Sequence, residues 1–289
     1  MAKRVLASLI AAVSISVVVA APAGGAANYY QEFSSQPTDL YFVNFEGGAS
    51  HPGVACGVDA CASFERDGQT DYMKVTVNPS QNPGHYINTD ITQIDLGAPS
   101  RNVGPYTPSK GHAIVMEARV KWSSNYDLHG RGDAQGTSGI VLWNPDLTEP
   151  YGDPGPEYDQ IGFVWASKDV LNGIISGFTG TSFINQVPVG ISKPLLHNVN
   201  INDWITVKMV WAENLLGIQT VTYYVNGHLL GVHILPVKLK NLALEIWNDN
   251  GEPYLCLGGL GSGMPLCYND PNPNQPQSFY VDWVKITQQ

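Results

Sequence analysis

Glu157 and Asp159 stand two residues apart in the run PEYDQIGFVW (Pro156–Trp165), which ends apolar and aromatic. If the run is a strand, residues i and i+2 share a face, so both carboxylates point the same way. Paired carboxyl groups are the working groups of glycosidic-bond cleavage, one as nucleophile or base and one as proton donor. Two solvated acids on an exposed strand are the plainer alternative. A third acid, Glu245 in LALEIW, alternates with Leu244 and Ile246 and shares a face with Ala243 and Trp247. Alternation alone reads it as an outward-facing surface glutamate. Trp143, Trp165 and Trp247 fall in or beside these segments. Their flat rings suit either a sugar-stacking platform or the core.

Strands must position these residues. Short runs rich in Val, Ile, Tyr and Trp recur along the chain: YFVNF, YMKVTV, AIVMEARVKW, SGIVLW, DQIGFVWA, WITVKMVW, TVTYYV, ALEIW and FYVDWVKI. In YYVNGHLLGVHI, Asn226-Gly227 between apolar runs signals a two-residue hairpin, because both turn positions need positive φ. Helical periodicity is nearly absent. The pattern predicts an all-β sandwich of two antiparallel sheets with a ligand on one face or at the loop ends.

The N-terminus reads as an export signal: Lys3 and Arg4, an apolar run from Val5 to Ala20, then small residues through Ala27. Residues 1–27 are therefore expected to be removed, leaving 28–289 as one secreted domain with no membrane insertion. Hydrophobic residues make up 43% of the chain, enough for a sizeable core, and only 14% are charged. The formal charge of −10 becomes −12 once the two cations Lys3 and Arg4 leave. Such a surface repels phosphate, which argues against nucleic acid or anionic membranes and leaves neutral ligands open. Cys56, Cys61, Cys256 and Cys267 are an even set, which in an oxidising compartment reads as disulfides. Of the three possible connectivities, the local pairs Cys56–Cys61 and Cys256–Cys267 are preferred, since each would pin a loop.

Four stretches in order, MEARVK (Met116–Lys121), EYDQIG, NDWITVKMVW…TVTYYVNGHLLG and FYVDWVKITQ, resemble glycoside hydrolase family 16. They span residues 110 to 289, and the earlier FVNFEGG is compatible. The resemblance implies a jelly roll of the concanavalin A-like lectin/glucanase type. It also implies retaining hydrolysis of internal β-glycosidic bonds in a neutral polysaccharide such as a β-glucan, by a monomer. The family's active strand reads Glu-x-Asp-x-Glu, or Glu-x-Asp-x-x-Glu with a bulge. Matched residue by residue, Glu157 takes the nucleophile position and Asp159 the assisting one. The acid/base position falls on Ile161 or Gly162, and neither carries a proton. That departure leaves open a non-catalytic carbohydrate-binding or lectin-like adhesion protein. The resemblance also implies that the strand of Glu245 lines the same concave sheet, which makes Glu245 a candidate to enter the groove and protonate the leaving group. Asp282 in VDWVK matches a position where the family often binds a structural calcium, an ion that takes oxygen ligands. No cofactor is implied for the chemistry itself.

Trp204, Trp211 and Trp283 are expected in the core. Arg119 and Glu117 are expected to support the sheet rather than act chemically. The Arg131–Asp133 RGD tripeptide is weak evidence for adhesion, the histidines lack metal-ligand spacing, and there is no P-loop lysine or nucleophile elbow.

Overall fold

A computed structural model describes residues 28–46, 49–81, 84–95, 104–144, 159–185, 187–194, 199–255 and 266–289. The expected leader, Glu157 and Cys256 lie outside them. The strands, in chain order, are β1 (Tyr29–Glu32), β2 (Tyr41–Glu46), β3 (Ala49–Pro52), β4 (Ala60–Asp67), β5 (Thr70–Val77) and β6 (Asn88–Thr92). There follow β7 (Ile114–Trp122), β8 (Thr137–Asn144), β9 (Asp159–Ala166), β10 (Gly177–Ile184), β11 (Val187–Ser192) and β12 (Ile205–Glu213). The rest are β13 (Gln219–Val225), β14 (His228–Ile234), β15 (Ala243–Asp249), β16 (Glu252–Leu255), β17 (Leu266–Asn269) and β18 (Gln277–Gln288). One short 3-10 helix, Val170–Gly173, follows β9. Among the described residues no helix is long and apolar enough to cross a membrane.

Two eight-stranded antiparallel sheets hold nearly all of these strands. The first runs β14-β13-β12-β7-β18-β5-β4 with β1 on the far part of β18, and the second runs β11-β10-β9-β8-β15-β6-β2-β3. The sequence dictates the first sheet through strict alternation. In β7, Met116, Ala118, Val120 and Trp122 are buried while Glu117, Arg119 and Lys121 are only partly so. The period of two sends one set into the sandwich and the other to solvent. Rings from both sheets fill the space between: Trp122 packs on Phe279 and Phe178, and Phe163 meets Tyr223 edge-on at 5.4 Å.

In the second sheet, β9, β10 and β15 are buried on both faces almost throughout. Their inner residues join the main core. On the outer side Val164 of β9 and Ala243 and Trp247 of β15 join Val43, Ile94, Val141 and Trp143 in a separate apolar cluster. The Asn226-Gly227 hairpin between β13 and β14 forms as expected, with φ of 50° and 77°. The Cys56–Cys61 disulfide forms as well. Its loop is braced by the Glu46 carboxylate, which accepts from the backbone N–H groups of Val58 (2.9 Å), Asp59 (2.7 Å) and Ala60 (2.7 Å). The Cys256–Cys267 pairing falls outside the described residues. Trp211 is in the core as expected, but Trp204 and Trp283 are only half-buried. Trp204 lies on the outer face of the first sheet, beside the Tyr72 ring (5.8 Å) and flanked by the cations of Arg119 and Lys121.

Candidate functional site

The alternation of β9 decides what the family-like strand presents. Ile161, Phe163 and Trp165 belong to the main core, and Val164 belongs to the outer cluster. The outer face of β9 therefore carries Gln160, Gly162 and Val164. Three bulky apolar residues at odd positions fix this parity, and a one-residue change of register would expose all three. Asp159 shares the odd set and sits at the start of the strand, where its carboxylate accepts from the backbone N–H of Asn185 (3.1 Å). It braces the end of β10 and does not stand among the outer-face residues. Trp165 is likewise corrected: it is fully buried, donates Nε1–H to the Asp127 carbonyl (2.7 Å), and packs edge-on to Tyr126.

Acids reach the outer face from two other strands. On β15, Ala243, Glu245, Trp247 and Asp249 follow one another at alternate positions, with Leu244 and Ile246 in the core. Register places Thr92 opposite Glu245, Asp90 opposite Trp247 and Asn88 opposite Asp249 on β6. Directly opposed residues of an antiparallel pair share a face, so Asp90, Glu245 and Asp249 stand together. Sequence reasoning placed Glu245 on its face and missed the other two. The signal for Asp249 was present, since it follows Glu245 by four residues, the spacing that brings two carboxyl groups onto one strand face.

Two tryptophans frame Glu245. The indole of Trp247 lies over Gly139 of β8, where a Cβ would come within 2.9 Å of its ring. Its Nε1–H donates to the Thr137 hydroxyl (2.9 Å), which in turn donates to Asp249. Trp143, opposite the small Ala243, reaches Thr92 with Nε1–H (3.3 Å). Trp143 and Trp247 are 4% and 8% exposed. Both predicted groove tryptophans of this pair thus lie on the outer face, on either side of Glu245.

The three acids differ in their partners. Asp249 accepts from Thr137 N–H (2.8 Å), Gly251 N–H (3.1 Å) and the Tyr86 hydroxyl (3.4 Å). Asp90 accepts from the Asn88 amide (2.8 Å). Glu245 is 7% exposed and has no hydrogen-bond partner among the described residues. None of the three has an ion-pair partner there either. Burial pushes Asp249 up to about 8 and Asp90 up to about 7. Glu245 is raised well above the usual carboxylate range, chiefly by burial and then by the charges of Asp90 and Asp249. A carboxyl held against indole rings away from cations keeps its proton near neutral pH and can donate it.

Asp282 sits at a bulge of β18, where the register with β7 shifts between Val281 and Trp283. Its carboxylate is engaged by Arg119 in an ion pair. A calcium there would meet the guanidinium's charge. Among the described residues no group of three or more His, Cys, Asp or Glu side chains is placed to hold a metal.

Two antiparallel sheets with this strand order define a concanavalin A-like jelly roll, a fold shared by glucanases and lectins. The sequence-stated likeness to family 16 hydrolases is thereby met at the level of fold. A β-1,3-1,4-glucanase (lichenase) derived from a mouse hindgut metagenome has a TM-score of 0.51 and 12% identity, covering 90% of this chain and 98% of its own. Lectin I from Ulex europaeus, solved with the methyl glycoside of α-L-fucose, also gives 0.51, at 8% identity over 91% of this chain and 98% of its own. No protein-family model matches the chain. A comparison with curated proteins gives no match.

Proposed function

We propose that this is an exported carbohydrate-recognition protein that binds a neutral polysaccharide, such as a β-glucan, on the outer face of its second sheet. The observation that carries this reading is Glu245: a nine-tenths-buried carboxyl with no partner among the described residues, set between Trp143 and Trp247. Leaving a buried polar group unpaired costs about 1–3 kcal/mol, which a hydroxyl-bearing ligand would recover. Indole rings supply the apolar faces on which sugars stack. Among the described residues no cation pairs with the cluster, which disfavours anionic ligands. The fold adds support, since one structural neighbour is a glucanase and another a lectin.

Hydrolysis is a second reading, favoured by the diagonal placement of Asp90 and Glu245 across β6 and β15. Diagonal neighbours on paired strands stand about 7–8 Å apart at the backbone, which lets their carboxyl groups flank one sugar unit as the pair of an inverting glycosidase does. Glu245 would then give its proton to the glycosidic oxygen while Asp90, as carboxylate, takes one from water. The outer positions of β9 (Gln160, Gly162 and Val164) carry no carboxylate for this work.

One experiment separates the readings. Binding to a panel of β-glucans and galactans is measured by affinity electrophoresis beside release of reducing ends. Retention without turnover, lost in Trp247→Ala, supports recognition alone. Turnover abolished by Glu245→Gln and by Asp90→Asn supports hydrolysis. Neither retention nor turnover on any polysaccharide overturns the proposal.

A further inference from the structure

A cavity of about 410 Å³ opens beside β2 and β3, lined among others by Gln36, Tyr41, Val43, Pro52 and Asp95. Its position follows from register. Tyr41 of β2 lies opposite Thr92 of β6, and Thr92 lies opposite Glu245 of β15. Tyr41 and Glu245 therefore share one row across the outer face of the second sheet. Strands stand about 4.8 Å apart, so two strands separate them by about 10 Å. Val43, at the cavity wall, is itself part of the cluster that holds Trp143 and Trp247.

The lining suits a sugar. Tyr41 is 41% exposed, a large aromatic left open at a cavity rather than packed away. Its ring offers a stacking surface, and the Gln36 amide and Asp95 carboxylate offer hydrogen bonds to hydroxyl groups. Among the described residues no cation lines the cavity, which disfavours a phosphate or sulfate group. The walls are set by backbone: Gly53, at φ 80°, donates its N–H to the Phe42 carbonyl (2.7 Å) and closes the turn beyond β3. A site of this kind is formed before the ligand arrives.

We infer that the Tyr41 cavity is a second sugar subsite, taking a neutral hexose unit of the same glycan chain that contacts Glu245. The chain then runs across the strands, from β15 over β6 to β2. This inference rests on the carbohydrate-recognition reading and adds a direction and a length requirement to it.

The test is calorimetric titration of the full chain with β-glucan oligosaccharides from disaccharide to hexasaccharide. Wild type is compared with Tyr41→Ala, Tyr41→Phe, Asp95→Asn and Glu245→Ala. The expected result is an affinity that climbs with length and then levels. Tyr41→Ala erases the gain for the longer ligands, by about tenfold, and leaves the shortest unaffected. Tyr41→Phe keeps the gain, because the ring remains, and Asp95→Asn loses part of it. Glu245→Ala weakens every length. If Tyr41→Ala binds each oligosaccharide as wild type does while Glu245→Ala weakens them all, the subsite is wrong and the recognition reading stands. If no oligosaccharide binds the wild type, both fall together.

Discussion

The outer faces of the two sheets use the same residue types to opposite ends. On the first sheet acids stand beside cations: Glu65 with Lys74 (3.3 Å), Glu117 with Lys208 (3.2 Å), and Asp282 with Arg119. Its rings are also paired with charge, since Lys121 stands 4.8 Å from the Tyr280 ring and 4.9 Å from that of Trp204. At its edge, hydrogen bonding to Arg66 holds Asp71 below the usual carboxylate range. On the second sheet Asp90, Glu245 and Asp249 have tryptophan and threonine for neighbours, and all three are pushed upward. A face whose charges are matched is finished as a surface. A buried face whose acids have no counter-ion among the described residues has been left with hydrogen-bonding capacity for something else.

Truncating the second face should cost most. Trp247→Ala removes a buried indole over Gly139 and its bond to Thr137, and should lower stability by about 3–5 kcal/mol, read from chemical denaturation. Trp204→Ala on the first face should cost about 1 kcal/mol, the scale of a half-exposed cation–π contact. Equal losses would erase the distinction between the faces.

Next in size is the response to pH. A carboxyl whose pKa is raised by folding stabilises fully below its unfolded value and loses that contribution as pH rises through the folded value. For Asp90 and Asp249 the window runs from about 4, the unfolded range, to about 7 and about 8. Unfolding free energy should fall by a few kcal/mol over that window, and Glu245→Gln should reduce the fall. His233 works in the other direction. Buried on β14 and held by Ser182 of β10 and Ser192 of β11 (2.9 Å each), it is lowered to about 4 by burial. Its contribution is therefore lost as pH drops below about 6.5 toward 4. Replacing His233 by Gln should leave the alkaline fall intact and change only the acid limb.

The smallest effect belongs to the paired face. Lys208→Ala breaks a half-exposed bridge to Glu117 and should change stability by about 0.2–1 kcal/mol, less at high salt. It should also leave glycan binding unchanged in the affinity assay.

Much of this contrast was readable before any coordinates. Alternation in MEARVKW and WITVKMVW gives the first sheet its buried and exposed sets, and Asn226-Gly227 gives the hairpin turn. The outer face of Glu245 followed from its neighbours in LALEIW. At the start of β9 the bulk of Ile161, Phe163 and Trp165 sets the parity and places Asp159 with the inward set, while Glu157 lies outside the described residues. Asp90 lies in NTDIT, five buried residues with little sequence signature, and only the pairing of β6 with β15 brings it beside Glu245. The Tyr41 cavity has the same cause, since it depends on three strands distant in sequence coming into one row.

The central claim is that Glu245 stays protonated on the second sheet's outer face and donates to a neutral glycan. The affinity of wild type and of Glu245→Gln for a β-glucan hexasaccharide, measured by calorimetry from acid to alkaline pH, tests it directly. The account predicts that wild-type affinity falls as pH rises and Glu245 loses its proton, while the Gln variant, which keeps a donor, binds evenly across the range. A wild-type affinity that does not change with pH, or a Gln variant that binds no better than Glu245→Ala, would contradict it.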